Sequence, residues 1–229
     1  MWIGTSQGLN RYSGHEFKTY DAYVFNGVED IINVAGNIFV LGSKGQLLQY
    51  QYKQDNFKSI LSLKNLNFLS IEPLNDHTLV IGLESGLLIH DFKSNKTSKL
   101  RHPKTRFNRE IHLRDSEVYV ASTNGINVYS YSETSNQLVY QRTLLEAIET
   151  LDFNFDSQNR IWAGTYQKGL FVIETQNTKK VVLYDSQVDT YTVRSIEFDR
   201  ENNALISIEG VGLLVIDQDL NIVKTLKQI

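Results

Sequence analysis

Trp2-Ile3-Gly4-Thr5-Ser6-Gln7-Gly8-Leu9 is the stretch from which the fold is read. It runs from apolar residues through a small residue and a polar stretch to a glycine, then back to apolar residues. The arrangement returns as Val40-Leu41-Gly42-Ser43-Lys44-Gly45 and as Val80-Ile81-Gly82-Leu83-Glu84-Ser85-Gly86-Leu87. It returns again as Val120-Ala121-Ser122-Thr123-Asn124-Gly125-Ile126 and as Trp162-Ala163-Gly164-Thr165-Tyr166-Gln167-Lys168-Gly169-Leu170. A degenerate sixth copy is Ile206-Ser207-Ile208-Glu209-Gly210-Val211-Gly212-Leu213. With the residue before the turn as anchor, the copies sit at 4, 42, 82, 122, 164 and 208, in steps of 38, 40, 40, 42 and 44. A fixed period of this size marks a repeat architecture. Eleven of the 14 glycines fall inside the copies. Glycine therefore has a repeated backbone role: the positive φ of a tight hairpin turn, with close approach of neighbouring chains.

Each copy parses into four short strands. In the third, Phe68 to Leu74, Thr78 to Glu84, Leu87 to Lys93 and Ser98 to Arg101 are strands separated by turn residues. In the fifth they are Thr150 to Phe155, Arg160 to Thr165, Gly169 to Glu174 and Lys179 to Tyr184. Helical periodicity is weak, with Leu144 to Ile148 the one short candidate. Four antiparallel strands per unit of about 40 residues is the signature of a β-propeller blade. A sheet apolar on both faces needs a neighbour on each side, and Thr78-Leu79-Val80-Ile81 and Leu170-Phe171-Val172-Ile173 are such strands. A solenoid fits less well, since its repeats are shorter per strand pair or contain helices. The expected fold is an all-β propeller of four-stranded antiparallel blades, about six in number. The blades fall at roughly 1–22, 28–62, 66–102, 109–143, 149–185 and 193–227 of a single propeller spanning 1–229.

Composition fits this reading. The chain has 229 residues, of which 41% are hydrophobic and 21% charged. Twenty-five aromatics and only two prolines suit strands. The net charge of −3 argues against a nucleic-acid binder driven by phosphate contacts. Absence of cysteine excludes disulfides, thiolate metal sites and a cysteine nucleophile. No apolar run reaches the roughly 18 residues of a membrane span, and no basic-then-apolar leader follows Met1. The phase of the repeat adds an expectation. The chain begins at the second strand of its first blade, which therefore lacks an innermost strand. Either the chain is a piece of a longer protein, an arc of a seven-bladed ring, or it closes as six blades with a three-stranded first one.

Trp2-Ile3-Gly4-Thr5-Ser6-Gln7-Gly8-Leu9-Asn10-Arg11-Tyr12-Ser13-Gly14, followed by Phe17 and Tyr20, closely resembles the two-component regulator propeller repeat. Asp156-Ser157-Gln158-Asn159-Arg160-Ile161-Trp162-Ala163-Gly164-Thr165 with Gly169-Leu170 is the second good match. The other four copies keep period and shape but lose the tryptophan. Proteins similar to this are the sensor regions of hybrid two-component histidine kinases, abundant in gut Bacteroidetes. The resemblance implies an extracytoplasmic, periplasmic sensor of two seven-bladed propellers and a β-sandwich, followed by a membrane helix and kinase. It implies recognition of oligosaccharides and control of polysaccharide utilisation, with this chain as part of the N-terminal propeller. The implied partners are an oligosaccharide ligand, the second propeller, the β-sandwich and a second copy in a homodimer. Neither nucleic acid nor direct membrane contact is implied.

The search for chemistry is short. His15, His77, His90, His102 and His112 lack metal-ligand spacing and read as surface or turn residues. No Gly-x-Ser-x-Gly elbow anchors a hydrolase triad. Glu29-Asp30, and Asp199 with Glu201, read as turn carboxylates rather than a glycosidase pair. No cofactor and no catalytic residue is expected, so the chain reads as non-enzymatic. Trp2 and Trp162 occupy equivalent positions and read as packing between blades. A ligand site, if formed, belongs with the turns between second and third strands and the interblade segments. The candidates are Arg106, Arg109, Asn124, Tyr166, Lys168, Tyr191 and Arg194. Tyr166 and Tyr191 would supply sugar platforms, and Arg109 and Arg194 planar polar groups. A protein-interaction scaffold is the alternative function, and solvated loop residues are the alternative for each candidate.

Overall fold

A computed structural model of the chain describes residues 1–20, 27–101, 105–174, 177–181 and 191–227. These hold only β-strands, turns and irregular segments, arranged as six antiparallel propeller blades. The first blade has three strands: β1 (Trp2–Thr5), β2 (Gly8–Tyr12) and β3 (Phe17–Tyr20). The second has β4 (Val28–Val34), β5 (Asn37–Gly42), β6 (Gln46–Gln51) and β7 (Asn56–Ser62). The third has β8 (Phe68–Pro73), β9 (Thr78–Leu83), β10 (Leu87–Asp91) and β11 (Lys96–Leu100). The fourth has β12 (Glu110–Arg114), β13 (Glu117–Ser122), β14 (Gly125–Ser132) and β15 (Gln137–Leu144). The fifth has β16 (Thr150–Phe155), β17 (Ile161–Thr165), β18 (Gly169–Glu174) and β19 (Asn177–Val181). The last has β20 (Val193–Phe198), β21 (Ala204–Ile208), β22 (Gly212–Ile216) and β23 (Ile222–Lys227). Of the strand ends expected from sequence, residues 182–184 lie outside the described residues, as do the blade limits at 22, 102 and 185.

Two sequence expectations are corrected. Leu144 to Ile148 is not helical. Leu145 and Ala147 have φ of +51° and +64°, and the segment is a turn closed by Ile148 N–H donating to the Leu145 carbonyl at 3.0 Å. The anchors also shift. Gly4, Gly82 and Gly164 pair with Leu9, Leu87 and Leu170, but the residues pairing with Leu47 and Leu213 are Leu41 and Ser207. The small residue at 42 and the anchor at 208 are each one position too late. The reason is that Leu41 and Ser207 stand at the register position held by glycine in those three copies, so an anchor chosen by residue type misses them.

The chain divides into two compact units, residues 1–120 with 128–141 and residues 121–127 with 142–229. In the first unit, the period-2 alternation of a strand is visible in β9. Leu79, Ile81 and Leu83 pack with Phe39, Leu41 and Leu47 of the second blade. Val80 points the other way, to Ile111, Val118 and Val120 of the fourth. One strand thus supplies two cores, which is why it reads apolar without interruption. Leu9 and Tyr20 of the first blade pack with Ile38, Val40, Leu48 and Tyr50 of the second. In the second unit, Trp162, Leu170 and Val172 pack with Val193, Ile196 and Ile206.

The glycines split into two groups. Gly86 opens β10 at φ +88°, where an L side chain is strained and would also strike the Leu100 carbonyl. Gly164 has no positive φ. A Cβ there would come within 2.7 Å of Val193 Cγ1 and 3.0 Å of its carbonyl oxygen, so this glycine admits the innermost strand of the next blade. Gly4 does the same against Val28.

The innermost strands also carry carboxylates that clasp the next blade. In the first unit, Asp30 Oδ2 accepts from Ile71 N–H at 3.3 Å and Glu72 Oε1 accepts from Leu113 N–H at 3.1 Å. In the second, Asp152 Oδ2 accepts from Ile196 N–H at 2.6 Å. Burial raises all three carboxyls, Glu72 and Asp152 each to about 7. The neighbouring charge of Asp30 adds to the rise at Glu72, and that of Glu197 to the rise at Asp152. Glu29-Asp30 is therefore part of strand β4 and not a turn pair. Asp199 is a turn residue, accepting from the N–H groups of Glu201 and Asn203.

Candidate ligand-binding site

Within a blade, the segment entering the innermost strand bonds the turn between the second and third strands. Ser43 N–H donates to the Gly27 carbonyl at 3.3 Å, Tyr166 N–H to Glu149 at 2.9 Å and Glu209 N–H to Thr192 at 3.0 Å. These bonds bring turn and entering segment to one end of the blade, as the sequence leads one to expect.

In the second unit, Tyr166 and Lys168 lie exposed in the β17–β18 turn. That turn is stitched to the segment before β20. Gly169 N–H donates to the Tyr191 carbonyl at 2.9 Å, and Gln167 N–H to Thr192 Oγ1 at 3.3 Å. Tyr166, Lys168 and Tyr191 are thereby held close together, with 43% of Tyr166 open to solvent. Arg194 is the second residue of β20, directly after that segment. Its Nε and Nη2 both donate to Glu209 Oε2, at 3.1 and 2.6 Å, in an exposed ion pair. Asn124 lies in the β13–β14 turn, its N–H on Ser122 Oγ at 3.2 Å. Its Nδ2 is buried without a hydrogen-bond partner among the described residues.

In the first unit, Arg106 and Arg109 lie on the segment from Thr105 into β12. Thr105 and Asn108 are buried, whereas Arg106 and Arg109 are exposed. Asn108 Nδ2 donates to the carbonyls of Leu83 and Gly86, both at 2.8 Å, and its own carbonyl accepts from Ser70 Oγ at 2.8 Å. Phe107 N–H donates to the Glu84 carbonyl at 3.1 Å. Glu84 Oε1 in turn accepts from Asn67 Nδ2 at 2.7 Å. Both arginines lie against the Phe107 ring. Arg109 therefore stands with Arg106 on the first unit, while Tyr166, Tyr191 and Arg194 stand on the second.

Sequence reasoning overlooked Phe107. Its φ of +51° is an outlier for a bulky residue, which no sequence pattern announces. It also misplaced His90, which is fully buried in β10 with Nδ1 2.9 Å from Thr97 Oγ1, and whose pKa burial lowers. His15 and His77 lie in turns, His112 is half-buried in β12, and His102 lies outside the described residues.

The tryptophans pack between blades as expected. Trp162 is 1% exposed, and its Nε1–H donates to Asp156 Oδ2 at 2.9 Å. Burial works against the Asp156 charge, but Trp162 and Arg160 hold the carboxyl below its ordinary value. Arg160 Nε donates to the same oxygen at 2.6 Å, with its guanidinium 5.6 Å from the indole. Trp2 is half-buried against Tyr20, Tyr50 and Phe57, at 5.5, 5.0 and 5.6 Å between ring centres. Among the described residues no cluster of three or more His, Asp or Glu is arranged to hold a metal.

No family model matches this chain, and no curated relative matches it. Solved structures do. The extracellular domain of a hybrid two-component system from Bacteroides thetaiotaomicron is similar over 99% of this chain and 33% of its own, with a TM-score of 0.76 and 16% identity. PorZ, a surface component of the type-IX secretion system of Porphyromonas gingivalis, is similar over 95% of this chain and 38% of its own, with a TM-score of 0.72 and 14% identity. Streptogramin B lyase is similar over 98% of this chain and 77% of its own, with a TM-score of 0.75 and 13% identity. The chain thus spans about a third of the length of the first two. At these identities the likeness is one of fold, and that fold is shared by a sensor domain, a secretion component and an enzyme. What the chain shares with all three is the β-propeller fold.

Proposed function

We propose that this chain is a non-catalytic, ligand-sensing propeller of an extracytoplasmic two-component sensor. Its ligand is an oligosaccharide released during glycan breakdown, and its output is control of polysaccharide utilisation. One observation carries the reading: the sensor-type repeat at Trp2–Gly14 opens a chain whose fold matches a sensor extracellular domain over 99% of its length. On the second unit Tyr166, Lys168, Tyr191 and Arg194 form the proposed contacts, with Asn124 as a further polar contact; Arg106 and Arg109 form a separate proposed set on the first unit. Tyrosine faces beside fixed planar donors suit sugar rings. The rest of the sensor, a second propeller and a β-sandwich, supplies the path to the kinase, and the assembled sensor acts as a homodimer in the periplasm.

Titration calorimetry of the purified chain against a panel of oligosaccharides tests this. Saturable heat with at least one member, weakened by Tyr166→Ala, is the expected result. Silence across the panel sinks the reading. A protein-interaction propeller is the second reading, favoured by the likeness to PorZ, itself a component of a secretion system. It predicts a bound protein partner and no saccharide response.

A further inference from the structure

The segment 105–109 combines two features. It is clamped, and it is strained. Thr105 and Asn108 are buried anchors, and Asn108 alone makes two side-chain bonds, to Leu83 and Gly86. Between the anchors, Phe107 is held at φ +51°, a conformation unfavourable for an aromatic residue. Strain of this kind persists only where surrounding structure fixes it, and it concentrates at ligand-holding positions. Its effect here is visible. The Arg106 and Arg109 guanidinium carbons lie 5.9 and 5.5 Å from the centre of the one Phe107 ring. Cation–π attraction orients both cations on that ring, so two planar donor groups are concentrated at an exposed loop.

We propose that Arg106 and Arg109, oriented by Phe107, bind an oxyanion carried on a saccharide: a uronic carboxylate or a sulfate ester. Each guanidinium presents five N–H donors in a fixed fork, so each can pair with an oxyanion while keeping other contacts. Two such forks beside one ring outcompete water for a carboxylate or sulfate far better than one mobile lysine would. The saccharide part of the proposal rests on the sensor reading above; the oxyanion part does not.

Calorimetry with matched pairs tests it: an oligouronate against its carboxyl-reduced counterpart, and a sulfated oligosaccharide against its desulfated form. The expected result is that one acidic member binds about tenfold or more tighter than its neutral partner, with the preference fading as salt rises. Whichever pair shows it distinguishes carboxylate from sulfate. Arg109→Ala and Arg106→Ala should each remove most of that preference while leaving thermal unfolding unchanged. Phe107→Gly separates ligand binding from stability, because it relieves the backbone strain and removes the ring. It should keep the fold and lose the preference. Equal binding of acidic and neutral members, unaffected by these variants, overturns the proposal and leaves the sensor reading intact. If no saccharide binds at all, the sensor reading fails on its own, and titration with sodium glucuronate and inorganic sulfate decides the remainder. Chemical-shift changes at the Arg106 and Arg109 side-chain N–H groups then support an oxyanion site, and their absence overturns it.

Discussion

Strand β1 reads Trp-Ile-Gly-Thr and the last four residues of β17 read Trp-Ala-Gly-Thr, yet the two are packed differently. All five residues of β17 are buried. In β1, Trp2 and Ile3 are half-buried and Gly4 and Thr5 are exposed. The difference lies in the neighbours. β17 pairs with β16 on one side and β18 on the other, whereas β1 pairs only with β2 among the described residues. The accessory residues differ in the same sense. Trp162 has Arg160 and Asp156 from its own entering turn, with the aspartate side chain fully shielded. Trp2 has Arg11 from β2, but its aspartate, Asp55, comes from the second blade and stays 37% exposed. Asp55 also accepts from Lys18, Tyr20 and Tyr50, contacts that hold its carboxyl well below the usual range. A strand four residues long therefore does not determine its own burial; the strands on either side do.

Four pairs of substitutions sharpen or break this contrast. The largest effect is expected at the tryptophans. Trp162→Ala should cost about 3–5 kcal/mol in chemical denaturation, because it empties a core site and strips a hydrogen bond from Asp156. Trp2→Ala should cost clearly less, and equal losses would break the comparison. Next are the glycines. Gly164→Ala should cost about 1–3 kcal/mol by overpacking against the Val193 backbone. Gly4→Ala should cost less, because its three nearest atoms all belong to the Val28 and Ile31 side chains and none to the backbone.

The third test uses pH. Asp152 stands opposite Gly164 on β16, a strand that has no counterpart beside β1 among the described residues. Its carboxyl is raised by burial to about 7, as is that of Glu72. A group raised on folding stabilises below its unfolded pKa and loses that contribution as pH rises through the folded one. Thermal stability should therefore fall between about pH 4 and pH 7, on the order of a couple of kcal/mol. Asp152→Asn and Glu72→Gln, which keep the accepting oxygen, should flatten that slope. A slope unchanged in both variants would falsify the clasp as its source. The smallest effect belongs to the arginines: Arg11→Ala should leave the melting temperature unchanged, whereas Arg160→Ala should lower it measurably.

Much of the fold is legible in the chain because the period and the turns are local. Strands β16 and β18 have the limits read from sequence, since polar turns bracket each. The register of the anchor was not legible at Leu41 and Ser207, because neither is the glycine that marks this position in the first, third and fifth copies. The carboxylate clasps were not legible either, because Asp30 and Ile71 are 41 residues apart and only stacking brings them together. At the candidate site, the turn and entering segment follow from blade geometry, so Tyr166 and Tyr191 could be placed. Phe107 could not, since no sequence pattern announces a left-handed aromatic residue.

The glycine contact with the next blade has a consequence for how such a chain can change. Gly4 answers Val28, and Gly164 answers Val193. Each contact is a lock between two partners, 24 and 29 residues apart, and each lies within its own unit. One partner can enlarge if the other shrinks, independently of the remaining copies. What the blades share is then complementarity across each seam rather than a common string of letters. Copies lacking the tryptophan, or carrying leucine or serine at the glycine position, remain sound blades. Degenerate repeats of this kind are better found by searching for compatible pairs at a set separation than for a motif.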